Sequence, residues 1–459
     1  MFSVDEALRL TRQQVRENYQ RHVNPGLAGM LGLLDFDKRF VRAEGAYVWD
    51  AEGKRYTDFL GGYGALNLGH NPPEIMAAIE KVRQAPNILQ ASLGAVASAL
   101  AANLAEVTPG NLSRCFFGNS GTEAVEGALK LARMATGRSK IVYCHGSFHG
   151  KTLGSLSVTG REKYQKPFRP LVPDCQAIPY GDLDSLRVVL QTQDVAAFIV
   201  EPIQGEGGII VPPDGYLAGA RELCSRYGTL LVVDEVQTGL GRTGYLFAVQ
   251  HEDVVPDVLC LAKSLGGGIM PIGVFVTTPA IWDKAYGAMD KCLLHTSTFG
   301  GNTWAAAAGI AALEVIISQD LPGQAREKGE YLLARLNSMS EKYPLIKEVR
   351  GRGLMIGMEF SQPTKGLWEK VTGQVVNKFS EEYLASLIAG KLINTHQIIT
   401  AYTLNNPNVI RLEPPLIVDY ADLDRLVESL ESIFQSYGGF GSLAMASART
   451  MLTSLVHRH

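Results

Sequence analysis

"TLLVVDEVQTG", residues 229–239, sets four apolar residues in a row and ends the run on two acids. A run this short, apolar whichever way alternate side chains point, has the pattern of a strand buried on both faces. Five more segments share it: "RCFFGN" (114–119), "KIVYCH" (140–145), "AAFIVEP" (196–202), "DVLCLA" (257–262) and "GVFVTT" (273–278). Helical stretches separate them from about 75 to 320. Strands alternating with helices predict an α/β fold: a mostly parallel central sheet covered on both sides.

On either side of this region the pattern changes. Residues 3–20 have helical periodicity and "NPG" (24–26) stops them. "YVWDAEGKRYTDF" (47–59) reads as a hairpin, followed by the glycine-rich "GGYGALNLGH" (61–70). After about 322 come a long helix, a strand in "GLMIGMEF" (353–360) and further short elements, a smaller α+β unit. The expected division is an N-terminal segment, 1–75, packing with the small domain; a large ligand-binding domain, 76–321; a small domain, 322–435; and a tail, 436–459, beginning with the linker-like "SYGGFGS".

A chain of 459 residues is long enough for two domains, and 46% hydrophobic with 19% charged residues suits a compact protein. A net charge of −3 without clustered Lys and Arg argues against a nucleic-acid partner. The six cysteines, at 115, 144, 175, 224, 260 and 292, are scattered and lack metal-ligand spacing. They read as reduced core residues, and no metal is expected. The charged start has no apolar leader and no stretch approaches the ~20 apolar residues of a bilayer span, so a cytoplasmic protein without a membrane partner is expected.

Three features carry chemistry. "NSGTEA" (119–124) holds Ser120-Gly121-Thr122-Glu123, the S-x-x-E form of a capping box, before a helix with Val125, Ala128, Leu129 and Ala132 on one face. That is either a plain helix cap or a phosphate seat of free N–H groups and two hydroxyls. Asp234, at the carboxyl end of a central strand, is either a salt-bridged or capping acid or a group aimed into the ligand crevice. Lys263, in "CLAKSLGGG" (260–268), is either a strand-end lysine reaching water or an amine with a task. "GLGRTG" (239–244) matches G-x-G-x-x-G, but no long helix follows and no acid-ended strand lies about 20 residues on, so a dinucleotide site is rejected. Pyridoxal phosphate needs all three of the other features: an amine to bind its aldehyde, an acid to keep its ring nitrogen protonated, and an anion seat.

"NSGTEA", "SFHGKTLG", "VEPIQGEGG", "VVDEVQTGLGRTG", "CLAKSLGGG", "TSTFGGN" and "IRLEPPL", in that order over roughly residues 15–435, resemble the signature segments of the class III pyridoxal-phosphate aminotransferases of fold type I. Within that class "RHVNPG", "FHGKTLG" and "LHTSTFGG" look most similar to putrescine (diamine) aminotransferases, with acetylornithine and ornithine aminotransferases as neighbours.

The resemblance implies roles for particular residues. Lys263 matches the Schiff-base lysine, Asp234 the partner of the pyridine nitrogen, Gln237 the residue near the ring hydroxyl and Glu201 its supporting carboxylate. Phe148 resembles the aromatic that stacks on the ring, with His149 counted beside it. Ser120, Gly121 and Thr122 match the phosphate cup, and Thr298 the phosphate contact from the other subunit. A homodimer with shared active sites is thereby implied, with a tetramer as the larger alternative. Glu206 matches a gating glutamate and Arg411 the arginine it neutralises. Lys151 stands where ornithine-type members carry arginine, which tilts the reading toward diamines and ω-amines. His145 and His149, four apart, are read as packing or supporting residues rather than metal ligands. The implied activity moves a terminal amino group from a putrescine-like amine to a 2-oxo acid such as 2-oxoglutarate or pyruvate. The alternatives are an acetylornithine-, ornithine- or other ω-amino-acid aminotransferase, or a non-transaminating enzyme with the same cofactor.

Overall fold

The computed structural model describes residues 1–361 and 384–436. The N-terminal helix Arg12–His22 ends before Asn24, whose side chain caps the next helix, Pro25–Leu33, with Pro25 in its first turn. "NPG" thus both stops one helix and starts another, because Pro tolerates a first-turn position that lacks an N–H partner. Three strands follow: β1 (Phe40–Glu44), β2 (Tyr47–Asp50) and β3 (Arg55–Asp58), with β2 and β3 forming the expected hairpin. The exposed β1 escaped the sequence reading; only one of its five residues is even half-buried, so it carries no apolar alternation.

The central sheet has seven strands: β4 (Arg114–Gly118), β5 (Lys140–Cys144), β6 (Cys175–Ile178), β7 (Val195–Val200), β8 (Leu230–Asp234), β9 (Val258–Leu261) and β10 (Gly273–Thr277). Their order is β4-β10-β9-β8-β7-β5-β6. Strands β6, β5, β7, β8 and β9 run parallel, and β10 alone is antiparallel to both of its neighbours. The expected mostly parallel α/β sheet is therefore present, with one reversed strand. Strand β6 was not anticipated: "CQAI" lies at a half-buried sheet edge, where a polar residue is tolerated.

Every residue of β7, β9 and β10 is buried. Alternate side chains divide between two cores: Phe198, Val200, Leu231 and Val233 on one face, Ala197, Ile199 and Val232 on the other. Helix Gly121–Thr136 covers the second face with Val125, Ala128, Leu129 and Ala132; helix Tyr216–Tyr227 lies on the first, and helix Thr303–Ser318 joins the same core. Each fully buried Val, Leu, Ile or Phe contributes about 1.5–3 kcal/mol. That two-sided burial is the reason for the unbroken apolar runs.

Beyond the long helix Leu321–Lys342 lie β11 (Ile346–Arg352), β12 (Met355–Phe360), β13 (Ile398–Ile399), β14 (Ala401–Tyr402) and β15 (Val409–Leu412). They form a sheet in the order β11-β12-β15-β14, while β13 pairs in parallel with β3. The hairpin is also tied to the last described helix, Tyr420–Ser436: the Tyr47 hydroxyl donates to Asp422 at 2.6 Å. Most of the sequence-defined linker and tail, from 437 on, lies outside the described residues. Among the described residues no single helix is long and apolar enough to cross a membrane.

Candidate active site

Parallel strands bring their carboxyl ends to one edge of a sheet, and whatever follows them in sequence collects there. Glu201 follows β7, Asp234 ends β8, Lys263 lies two residues past β9, and Ser120 opens the helix that follows β4. These residues line one cavity of about 570 Å³. Its wall also holds Gly121, Thr122, Phe148, His149, Glu206 and Gln237. Residues spread over more than 140 positions of sequence thus meet as the strand-end argument requires.

Lys263 is half-buried, and its backbone has φ +48°, a region that side-chain-bearing residues enter at a cost of about 1–3 kcal/mol. Burial holds its ammonium below the usual lysine range, against the opposing pull of Glu413 and Glu206. The neutral amine, which is the nucleophilic form, is favoured accordingly.

Asp234 is 5% exposed. One oxygen accepts the Val236 N–H at 3.0 Å; the other lies 2.7 Å from His149 Nδ1, which must carry the proton for that contact to be favourable. Among the described residues His149 Nε2 is buried without a partner, so the ring serves Asp234 from behind. His145 is exposed, and among the described residues no cluster of three or more His, Cys, Asp or Glu is arranged to hold a metal.

Two carboxyls near Asp234 are forced upward by burial. Glu201 accepts the N–H groups of Phe148 and Gly205, and Glu235 accepts those of Ala248 and Val249 and the Thr238 hydroxyl. Even so, burial pushes each to about 7. In the window from the ordinary 4.5 to about 7 the folded chain keeps protons that the unfolded chain has released. These two groups therefore contribute a loss of stability as pH rises across that window, opposed by His251, His295 and His396, which burial holds below their ordinary 6.5. Glu201→Gln and Glu235→Gln, neutral at every pH, are expected to remove that loss, so that between pH 5 and 7 the urea midpoint of the cofactor-free variants declines less, or rises more, than that of wild type; an identical pH dependence would show that neither group keeps its proton in the fold.

Gln237 departs from its expected support. Its amide donates to Glu413 Oε1 at 2.8 Å and to the Tyr63 carbonyl at 3.2 Å, not to Glu201, whose oxygens are taken by Phe148 and Gly205. Glycine at 205 lets the Gln237 amide sit where it does: a Cβ there would lie 1.8 Å from Gln237 Oε1 and displace that side chain. Arg411, fully buried, sets one terminal nitrogen 2.7 Å from Glu206 Oε2 and the other 3.2 Å from Glu413 Oε2. Burial works to lower its pKa, but Glu206 and Glu413 together raise it. Its Nε and the nitrogen facing Glu206 nevertheless lack an aligned hydrogen-bond acceptor.

Tyr63 lies over this pair, its ring centre 5.1 Å from the Arg411 guanidinium carbon. The "GGYG" run makes one left-handed turn, with φ near +55° to +78° at all four residues. Gly61 is obligatory in that turn: a Cβ would stand 2.3 Å from the Glu413 carbonyl oxygen. Sequence reasoning missed both Tyr63 and Glu413. A signal for the second was available, because Arg411 and Glu413 are two apart in an extended segment and so share a face.

At the helix mouth, the Ser120 side chain accepts the Glu123 N–H at 3.3 Å, but the Glu123 carboxylate turns to the N–H of Asn119, so the capping box is only half closed. The first-turn N–H groups of any helix lack carbonyl partners within it, which leaves this end suited to an anion. Lys151 is not in the cavity wall; it is exposed, its ammonium 4.9 Å from the Tyr164 ring centre and 6.0 Å from that of Phe148. Thr298 is exposed and lines a separate groove with Asn87, Leu93 and Asn302. After "GLGRTG" comes only a short 3-10 turn, Ala248–Glu252, and Arg242 is buried, donating to the carbonyls of Leu354 and Pro414.

A family profile described as aminotransferase class-III matches residues 36–434. Aminotransferase PigE of Serratia sp. is 40% identical over 461 residues, which cover 94% of this chain and 54% of that protein. The chain thus spans about half the length of this curated relative. The ornithine aminotransferase of Toxoplasma gondii superimposes with a TM-score of 0.82 at 31% identity, covering 95% of this chain and 100% of the other. An amine transaminase from an uncultivated Pseudomonas species, solved with PLP bound, gives 0.77 at 30%, covering 87% and 95%. The architecture is that of fold type I, and the chain belongs to the class III aminotransferase family.

Proposed function

We propose that the chain is a pyridoxal-phosphate-dependent aminotransferase that moves a terminal amino group from a diamine or ω-amine to a 2-oxo acid such as 2-oxoglutarate or pyruvate. The observation that carries this reading is the meeting of Lys263, Asp234 and the helix mouth at Ser120 in one cavity, backed by the Glu206–Arg411 pair. Its volume, about 570 Å³, falls within the range of small-molecule sites. The residues fit the cofactor: a half-buried amine biased to its neutral form, a strand-end carboxylate, an anion seat, and the Phe148 ring in the cavity wall.

When bound, the cofactor supplies an electron sink for the negative charge left by proton removal from the substrate carbon. The chain supplies the rest. Lys263 Nζ is the amine that would hold the cofactor's aldehyde, and it lies in the same cavity as a base that would take the proton from the substrate carbon bearing the amine. Asp234, with one oxygen held by His149, is the carboxylate that would face the ring nitrogen. The N–H groups of Ser120, Gly121 and Thr122 and the hydroxyls of Ser120 and Thr122 would hold the phosphate. Phe148 and Gln237 would confine the ring, and Glu201 fixes the backbone of Phe148.

Arg411 explains how two unlike substrates use one pocket. Paired with Glu206, it offers no bare positive charge to an amine that lacks an α-carboxylate. With Glu206 displaced, the planar guanidinium gains a carboxylate it can bind through two aligned bonds. A second reading, an ornithine- or acetylornithine-type donor, is favoured by the likeness to solved aminotransferases of both kinds. A homodimer is supported by exposed Leu93, Met289 and Leu293 and by the position of Thr298 outside this chain's own cavity. Six unpaired cysteines support a cytoplasmic location.

Incubation with putrescine and 2-oxoglutarate is expected to yield glutamate; none from any of a panel of diamines and ω-amino acids would overturn the reading. Arg411→Lys keeps the charge and removes the fork. It should raise KM for 2-oxoglutarate roughly tenfold or more and change the single-turnover rate with putrescine less than about threefold. An unchanged KM would remove Arg411 from acceptor binding.

A further inference from the structure

Arg411 is held by two carboxylates, and only one of them is the expected gate. Glu206 faces one terminal nitrogen at 2.7 Å and Glu413 the other at 3.2 Å. Glu413 is fully buried, and its remaining oxygen accepts the Gln237 amide at 2.8 Å. Its backbone is pinned as well, its N–H donating to the Phe59 carbonyl at 2.8 Å. Glu206 differs in kind: it lines the cavity, and besides facing Arg411 its carboxylate accepts the Leu404 N–H. One acid borders the cavity, and the other is enclosed and held at both its carboxylate oxygens and its backbone.

We propose that Glu413 is a specificity-determining positioning residue, a permanent counter-charge that leaves Arg411 neutralised when Glu206 swings away and ties that charge to Gln237. The inference rests on the proposed role of Arg411 as the seat of the acceptor's carboxylate. In the closed arrangement two carboxylates face one guanidinium, an excess of negative charge that suits a cationic amine donor. After Glu206 leaves, the Arg411–Glu413 pair has no net charge, so a 2-oxo acid is recognised by the guanidinium fork more than by charge. Dicarboxylates are thereby bound weakly and released readily, while amines are favoured.

A purely structural Glu413 would only keep Arg411 and Gln237 in place, and removing its charge would then leave carboxylate binding unchanged or weaken it. The proposal requires the opposite sign. Wild-type and Glu413→Gln holoenzymes are titrated calorimetrically with glutarate, a dicarboxylate with neither an amine nor a carbonyl to react. Glu413→Gln keeps an acceptor for the Gln237 amide, so its Kd for glutarate should fall roughly tenfold. Glu413→Asp, which restores the charge, should return most of the way to wild type. In turnover, KM for 2-oxoglutarate should fall and KM for putrescine rise. Equal or weaker glutarate binding by Glu413→Gln overturns the proposal alone. No glutarate binding by either protein overturns the Arg411 reading and the proposal with it. If thermal melts show that Glu413→Gln does not fold, Glu413→Ala takes its place with the same expected direction.

Discussion

Lys263→Ala is expected to lower kcat by roughly 10⁴-fold, because one side chain is proposed both to anchor the cofactor and to move the substrate proton, and general base catalysis alone is worth about 10²–10⁴. The fold should survive. Alanine carries the same Cβ as lysine, so the left-handed backbone at φ +48° is no worse accommodated, and a half-buried amine held below its ordinary pKa is removed rather than stranded. The thermal midpoint should therefore stay within a few degrees of wild type while glutamate production collapses. Borohydride reduction of the wild-type holoenzyme should place the pyridoxyl group on the peptide that contains Lys263, and the variant should retain none. Retention of more than about 1% of wild-type kcat, or a label on another side chain, would defeat the assignment.

Asp234→Asn removes the counter-charge at the far end of the proposed ring and is expected to lower kcat by roughly 10³-fold, since an unpaired pyridine nitrogen loses its proton and the electron sink weakens. Asparagine can still accept the Val236 N–H or the His149 Nδ1–H, each of which now meets Asp234 at 3.0 or 2.7 Å, so the pocket should keep its shape. Loss of charge is thus separated from loss of structure. Cofactor affinity, followed by dialysis and reconstitution, should fall together with kcat, whereas a variant that stays within tenfold of wild-type kcat would refute the role. His149 is linked to the same outcome, because its Nδ1–H holds one Asp234 oxygen and its Nε2 has no other buried partner.

These expectations began as a pattern in the chain, and the pattern reached a definite distance. Runs such as "AAFIVEP" and "DVLCLA" are apolar on both faces because both faces of β7 and β9 are covered, so burial itself wrote the strands into the sequence. Where burial is incomplete the signal fades, as in the edge strand β6 and the exposed β1. "GLGRTG" shows the limit of local motifs from the other direction. Its arginine is fully buried not to face a nucleotide but to bridge the carbonyls of Leu354 and Pro414 and the Asn67 side chain, partners more than 100 residues away.

What the amino-acid sequence by itself determined was the α/β sheet and the set of residues at its ligand edge: parallel strands end on one side, so Glu201, Asp234 and Lys263 had to lie along that edge, while their being neighbours follows from the order β9-β8-β7, which the packing decided. What only the tertiary structure decided was how those groups are paired. Glu413 takes Gln237 and Arg411, Asp234 takes His149, and Tyr63 covers the guanidinium. These contacts join elements as far apart as the glycine turn after β3 and the end of β15. A hydrogen bond forms only within a few tenths of an ångström of its ideal length, and that tolerance is set by how the sheets and loops pack, which no local pattern of residue types encodes.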